Sequence, residues 1–99
     1  MHEVFILGIR VKFFAALWEI TGEKEVELDG TNMTVREVLQ KLIERYGETF
    51  KKEIMDNDDK VKDHYVILVN GRNIVFLDGI NTKVKDGDLI SVFPPVGGG

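Results

Sequence analysis

The sequence predicts an α+β fold in which one amphipathic helix packs across a mixed sheet of four or five strands. Two observations lead to this prediction. Apolar residues recur at helical spacing between Thr34 and Gly47, and the segments on either side have the alternation or the β-branched content of short strands. At 99 residues, the chain is long enough for one modest hydrophobic core, so we expect one folded domain.

The segment before the helix predicts two strands joined by a short helical turn. From Ile9 to Phe14, Ile, Val and Phe alternate with Arg, Lys and Phe, which is the period of a strand with one buried face. Ala15 to Ile20 has the pattern of a short amphipathic turn, ended by Thr21-Gly22. Glu25 to Leu28 predicts the second strand, and Asp29-Gly30 the turn that closes it.

The helix has the clearest signals in the sequence. Thr34 and Glu37 stand at the spacing of a capping box, in which each side chain accepts a hydrogen bond from the backbone N–H of the other residue. Gly47 stands where a left-handed C-terminal cap is expected. The apolar stripe consists of Val35, Val38, Leu39, Leu42, Ile43 and Tyr46.

After the helix, the sequence predicts a polar loop and then a buried strand. Charged and polar residues dominate from Glu48 to His64, which favours an exposed loop, and a short helical turn near Phe50 and Ile54 stays open. Tyr65 to Val69 is a continuous apolar run, short and rich in β-branched residues. Such a run is typical of a central strand that is buried on both faces.

The last third of the chain predicts a hairpin and a final strand. Asn70-Gly71 is a strong two-residue hairpin signal because both residues tolerate positive φ, and Arg72 to Phe76 would form the returning strand. Asp86-Gly87-Asp88 predicts a turn before the last strand, Leu89 to Phe93. This order of elements is that of the ubiquitin-like β-grasp, in which the first and last strands pair in parallel at the centre of the sheet.

Composition excludes several classes of function. The net charge of −4 argues against nucleic acid as a partner, because phosphate binding usually requires a basic surplus. The chain contains no cysteine, and therefore no thiolate nucleophile, disulfide or zinc–thiolate site. We find neither a signal-peptide pattern nor an apolar run of about 18 residues, so we expect no membrane partner and a cytoplasmic location.

The side chains offer no catalytic or metal-binding constellation. The two histidines, His2 and His64, stand near a terminus and in the polar segment, and we interpret both as solvated. Asp56–Lys60 superficially resembles a calcium-binding loop, but Val61 and Ile67 occupy the positions of its glycine and its bidentate glutamate. We therefore predict a solvated loop and no metal site, so any chemistry must use another group.

That group is the C-terminal tail. We divide the chain into a β-grasp domain, residues 1-95, and a flexible tail, residues 96-99. Pro94-Pro95 ends the last strand after Phe93, since proline cannot donate to a sheet ladder, and it favours an extended exit. Val96 to Gly99 can span roughly 13–14 Å at about 3.3–3.6 Å per residue. The ionised α-carboxylate of Gly99 can attack the α-phosphate of ATP and form an acyl-adenylate.

The ending Phe93–Gly99, preceded by Asp86-Gly87-Asp88, resembles the C-terminal signature of MoaD-type sulfur carriers, the small subunits of molybdopterin synthase in the MoaD/ThiS family. Val11–Ala15 with Thr21-Gly22 resembles the first strand and short helix of that family, and Val69-Asn70-Gly71 resembles its central hairpin. The resemblance covers nearly the whole chain, and the ending is its most specific part.

The resemblance implies a carrier that is not catalytic alone and holds no cofactor of its own. A ubiquitin-activating-type enzyme would use ATP to adenylate Gly99, and a persulfide donor would convert it to a thiocarboxylate. The tail would then enter the large subunit of molybdopterin synthase and donate sulfur to cyclic pyranopterin monophosphate, for a molybdenum or tungsten cofactor. By the same likeness, Phe93 belongs to the docking region, and Pro94, Pro95, Val96, Gly97 and Gly98 are the residues by which the tail is recognised.

Several alternatives stay open. The first is a small archaeal-type protein modifier joined to substrate lysines through Gly99. A thiamine-pathway carrier and a simple binding domain with an inert tail are less favoured. Phe93 could be a plain core residue instead of a docking residue.

Trp18 stands where the family often carries a basic residue, which puts a charge pairing with the large subunit in doubt. Gly97 falls at a position that the family leaves variable, so Gly98-Gly99 is the essential pair.

Overall fold

A five-stranded mixed sheet with one long helix packed across it confirms the predicted fold class. The computed structural model describes residues 8–30 and 32–95. In chain order the elements are β1 (Ile9–Phe13), α1 (Ala16–Thr21), β2 (Glu25–Leu28), β3 (Asn32–Thr34), α2 (Val35–Tyr46), α3 (Glu48–Ile54), β4 (Val66–Val69), β5 (Arg72–Asn73), the 3-10 turns Ile74–Phe76 and Gly79–Asn81, β6 (Lys83–Lys85) and β7 (Leu89–Phe93). The sheet order is β2-β1-β7-β4-β5, and a separate two-stranded ladder pairs β3 with β6.

The first and last strands lie side by side at the centre of the sheet, as the sequence predicts. They run in parallel, with Arg10 opposite Leu89 and Phe13 opposite Val92, while the other pairings in this sheet are antiparallel. Because β1 and β7 are parallel, their carboxyl ends meet at one edge of the sheet. This arrangement brings the end of β1 next to the start of the tail. Within the described residues, no helix is long and apolar enough to cross a membrane.

Helix α2 begins and packs as its sequence predicts. The Thr34 hydroxyl accepts a hydrogen bond from the Glu37 backbone N–H at 3.2 Å, and the Glu37 carboxylate accepts one from the Thr34 N–H at 2.8 Å. This capping box satisfies two backbone donors that would otherwise lack a helical partner. The buried face of the helix covers one side of the sheet through Val35, Val38, Leu39 and Leu42.

The prediction of an exposed loop after α2 is wrong for its first part, where the short helical turn that the sequence allowed near Phe50 and Ile54 is a helix of seven residues. Residues Glu48–Ile54 form α3, and the side chains of Phe50 and Ile54 are fully buried. These two residues are four apart, so one face of a short helix brings both to the core. Gly47 does have positive φ, but its ψ of −161° is not that of a left-handed cap, and the chain passes directly into α3.

Two strands differ from their predictions. In β4 only Ile67 and Val69 are buried, while Val66 and Leu68 are half-buried, so this strand is covered on one face and not on both. The returning strand β5 ends at Asn73, whose side chain accepts a hydrogen bond from the Val75 N–H at 2.9 Å and thereby starts a 3-10 turn. The short ladder of β3 and β6 was not predicted, since three-residue strands leave little periodicity to detect.

Hydrogen bonds at the predicted turn Asp86-Gly87-Asp88 connect the turn between β4 and β5 with β6 and β7. The buried carboxylate of Asp88 accepts hydrogen bonds from the Asn70 side-chain amide at 2.9 Å and from the Lys85 backbone N–H at 2.8 Å. The side-chain oxygen of Asn70 in turn accepts from the Leu89 backbone N–H at 2.9 Å. Burial by itself would raise the pKa of Asp88, but these hydrogen bonds and the nearby Lys85 charge outweigh it and hold the pKa below its usual range.

Replacement Asp88→Asn should therefore destabilise the fold at pH 7 by about 1–3 kcal/mol, because the two carboxylate oxygens accept from different donors and an amide nitrogen in place of either oxygen would face one of those donors. The lowered pKa means that the carboxylate stabilises the fold above the pKa of an unfolded Asp, about 3.9, and loses this effect as the pH falls through the folded value. Urea unfolding at pH 7 and at pH 3 measures both effects, with exposed Asp58→Asn as the control. A difference between wild type and Asp88→Asn that persists undiminished in acid would contradict the assignment.

Candidate functional site

The predicted reactive group lies outside the described residues. Gly99, Gly98, Gly97 and Val96 belong to the part of the chain beyond residue 95, so the structure shows the base of the tail and not the tail itself. At this base, β7 ends at Phe93, Pro94 is half-buried and Pro95 is exposed. The base lies at the sheet edge where the carboxyl ends of β1 and β7 meet.

Phe93 faces away from the core. Along β7, Ile90 and Val92 are buried, whereas Leu89, Ser91 and Phe93 are half-buried on the other face of the sheet. Strand side chains alternate between the two faces, so Phe93 belongs to the face opposite α2. The alternative that Phe93 is a plain core residue is therefore wrong, and its role in docking stays a prediction.

An aromatic stack stands at the base of the tail. The rings of Phe14 and Phe93 lie 4.2 Å apart between centroids and are inclined by 13°, and Val66 pairs with Phe93 across the sheet. The three half-buried side chains form an apolar surface, which we call the Phe93 patch. Sequence analysis did not select Phe14 or Val66 as site residues. The alternation of β1 already places Phe14 on the same face as Arg10 and Lys12, but its contact with Phe93 depends on the pairing of β1 with β7.

A strained backbone positions Phe14. Ala15 has φ 54° and ψ −126°, a conformation that residues with a side chain rarely adopt. It turns the chain sharply from β1 into α1, at whose start the Leu17 N–H donates to the Phe14 carbonyl at 3.2 Å and the Trp18 N–H to the Ala15 carbonyl at 2.9 Å. Strain of this kind costs on the order of 1–3 kcal/mol and is common at functional sites. Here it accompanies the close approach of Phe14 to Phe93.

A cleft of about 320 Å³ adjoins the Phe93 patch. Trp18 is 42% exposed, and its indole ring lies beneath the Lys24 ammonium group, which is 4.7 Å from the ring centroid. The Glu25 carboxylate at its rim pairs with the Arg10 guanidinium at 3.6 Å. We call this feature the Trp18 cleft, and its lining consists of Lys12, Phe13, Phe14, Trp18, Lys24 and Glu25.

The chemistry available to these side chains is that of binding. Residues 8–30 and 32–95 contain no group of three or more His, Cys, Asp or Glu residues placed to hold a metal ion. The patch and the cleft together present aromatic rings and ammonium groups on one continuous surface at the base of the tail. Such a surface can orient a partner protein relative to the C-terminal residues, which it cannot itself activate.

Comparison with known proteins identifies relatives along nearly the whole chain. A family model described as the ThiS family matches residues 11–99. Small archaeal modifier protein 3 of Haloferax volcanii is 41% identical over 95 residues, which cover 94% of this chain and 100% of that protein. The molybdopterin synthase sulfur carrier subunit of Drosophila simulans is 28% identical over 97 residues, covering 95% of this chain and 93% of that protein.

Solved structures show the same fold. The crystal structure of small archaeal modifier protein 1 from Haloferax volcanii superposes with a TM-score of 0.80 at 28% identity, covering 93% of this chain and 99% of that one. A chain in the crystal structure of the Amycolatopsis orientalis BexX/CysO complex superposes with a TM-score of 0.76 at 29% identity, covering 92% and 99%. The architecture is therefore that of the ubiquitin-like β-grasp.

Proposed function

This chain belongs to the ThiS family, and from that premise we propose that it is the sulfur-carrier subunit of a molybdopterin synthase, with Gly99 as the carrier group. As a small ubiquitin-like protein of the sulfur-carrier type, it is not an enzyme by itself. The observation that carries the proposal is the family match, which continues through the terminal glycines to residue 99. The likeness to molybdopterin synthase sulfur carrier subunits supports the choice of pathway.

The proposed cycle begins with activation by a partner. A carboxylate oxygen of Gly99 attacks the α-phosphate of ATP in a ubiquitin-activating-type enzyme, which forms an acyl-adenylate and releases pyrophosphate. A persulfide sulfur then attacks the acyl carbon, AMP leaves, and a second thiol reduces the acyl disulfide to a thiocarboxylate. ATP is bound and used by the partner, so this chain needs no cofactor of its own.

Delivery would take place in the large subunit of the synthase. The extended tail would reach the buried pterin intermediate and donate its sulfur to the dithiolene. Glycine suits this task because a residue without a Cβ fits a narrow channel and accepts a wide range of backbone dihedrals. Pro94 and Pro95 at the base favour an extended exit, and the Phe93 patch beside them would dock both partners.

Conjugation to proteins is the second candidate function. The 41% identity to small archaeal modifier protein 3 favours it as strongly as the sulfur-carrier relatives favour the first. In this alternative, a substrate lysine amine attacks the activated carbonyl of Gly99 and forms an isopeptide bond. Both functions need the same adenylated glycine, and one chain can serve both.

A chromosomal deletion tests the proposal. Loss of molybdenum- or tungsten-dependent enzyme activity in the deletion strain, restored by the wild-type gene, is the expected result. Loss of high-mass conjugates with normal cofactor synthesis would instead establish the modifier function. If both phenotypes are absent, the proposal and its alternative are both wrong.

Replacement Phe93→Ala should weaken binding to the activating enzyme about tenfold or more, since truncating a buried aromatic interface residue commonly costs about 2 kcal/mol. The ring is half-buried in the free protein, so we expect only a small loss of stability. Isothermal titration calorimetry measures the Kd. The matched control is Phe76→Ala, which removes a ring that is 83% exposed in the 3-10 turn after β5. Equal affinities for the two variants would contradict a docking role for Phe93.

A further inference from the structure

The Trp18 cleft combines an apolar concave surface with an exposed tryptophan, a combination that the packing of the domain does not require. Phe13 and Phe14 both line it, but only the Phe14 ring lies on the outward face of the sheet, since the Phe13 ring packs in the core against Tyr46 and Phe50. Trp18 stands at the side of the cleft and is 42% exposed. Trp18 is one of few large apolar side chains exposed among the described residues. An exposed tryptophan beside a concave apolar surface is a frequent anchor in protein interfaces.

The charges around the cleft are unbalanced. Lys12 and Lys24 both line it, and within the described residues no carboxylate lies within 4.0 Å of either ammonium group. Glu25, the carboxylate at the rim, is paired with Arg10. This local positive charge contrasts with the formal charge of −4 for the whole chain. A partner with a carboxylate at this point would be oriented by the two lysines, because nearby opposite charges fix the register of an interface.

The cleft is also continuous with the base of the tail. Phe14 forms one wall of the cleft and also stacks on Phe93. An enzyme that takes the tail into its active site must approach this edge of the sheet, because the tail leaves the domain directly after Phe93 and Pro94. The partner that covers the Phe93 patch therefore meets the Trp18 cleft at the same time.

We propose that the Trp18 cleft is the specificity-determining pocket for the ubiquitin-activating-type enzyme, and that it receives an apolar side chain of that enzyme with an adjacent carboxylate. The apolar side chain would pack between Trp18 and Phe14, and the carboxylate would contact Lys12 and Lys24. The inference rests on the proposed function, since it takes the activating enzyme as the partner.

Binding of the activating enzyme from the same organism tests this proposal with two variants. Trp18→Ala removes the aromatic wall, and Lys24→Glu reverses one charge at an exposed position where the fold is not at risk. Each should raise the Kd about tenfold or more, and Lys24→Glu should also weaken the dependence of the Kd on NaCl concentration. Phe76→Ala and Lys83→Glu make the same types of change at exposed positions outside the cleft, and should stay within about twofold of wild type.

The same experiment distinguishes a failure of the pocket proposal from a failure of the proposed carrier function. At saturating concentrations of the variants, pyrophosphate release should return to the wild-type rate, because Gly99 is intact. Wild-type affinity for both Trp18→Ala and Lys24→Glu, or an equal loss in the two controls, would overturn the pocket and leave the carrier proposal standing. If the wild-type protein is neither bound nor adenylated, the proposed function fails and the inference fails with it.

Discussion

Removal of Gly98 and Gly99 should abolish adenylation of the protein and leave its thermal unfolding unchanged. The truncated chain would end at Gly97, and its carboxylate would be two residues, about 7 Å, short of the reacting position. Such a displacement prevents attack on ATP, since reacting atoms must approach to about 3–3.5 Å. Pyrophosphate release with the activating enzyme should therefore fall to the background rate.

Stability should not change, because the described hydrophobic core extends only from Ile9 to Val92. Differential scanning calorimetry checks this. Gly97→Ala is the matched control: it alters the tail without shortening it, and we expect it to retain most of the activity. Adenylation of the truncated chain at the wild-type rate would show that Gly99 is not the carrier group.

Replacement Phe50→Ala should lower the free energy of unfolding by about 3–5 kcal/mol, the usual cost of a large cavity in a core. Phe50 is fully buried in α3, and its ring meets the rings of Phe13 at 6.0 Å and Tyr46 at 5.7 Å between centroids. The contact with Phe13 is edge-to-face and that with Tyr46 is tilted, and the loss of such aromatic contacts adds to the cost. Urea denaturation measures the change.

Lys52→Ala is the control for Phe50→Ala, because Lys52 is exposed in the same short helix. We expect it to change the free energy of unfolding by less than about 0.5 kcal/mol. If Phe50→Ala cost no more than Lys52→Ala, then α3 would not be part of the core. The segment after α2 would then be the exposed loop that its composition predicts.

The burial of Phe50 in α3 also shows where sequence reasoning succeeds and where it fails. Helix α2 was predictable because its apolar stripe, its capping box and its length all favour the same element. The Asn70-Gly71 hairpin was predictable because few residue pairs adopt positive φ at both positions. In each case the local chemistry alone determines the structure.

Helix α3 was not predictable in the same way. Its seven residues contain only Phe50 and Ile54 as large apolar side chains, too few to distinguish a helix from a polar loop with occasional apolar residues. Their burial depends on packing against α2 and against β1, and β1 is distant in sequence. Tertiary packing therefore decided an element that local propensity left open.

The candidate site likewise has one part that the sequence predicts and other parts that only the structure shows. The terminal glycines could be selected from the sequence because the chain offers no other reactive group, and their role stays a prediction. The Phe14–Phe93 stack needed the structure, since it depends on the parallel register of β1 and β7 and on the backbone turn at Ala15. The Trp18 cleft likewise depends on Lys24, which packs over the indole ring from the start of β2.

The most direct test of the central claim is the intact mass of the protein isolated from its native cells, under conditions that preserve thiocarboxylates. The carrier function predicts a species that is heavier than the free carboxylate by the mass difference between sulfur and oxygen. Fragmentation should locate this difference at Gly99, and treatment with an alkylating agent should convert the species to its alkylated form. A protein present only as the free carboxylate, with no sulfur at Gly99 even in cells that are making molybdenum or tungsten cofactor, would contradict it.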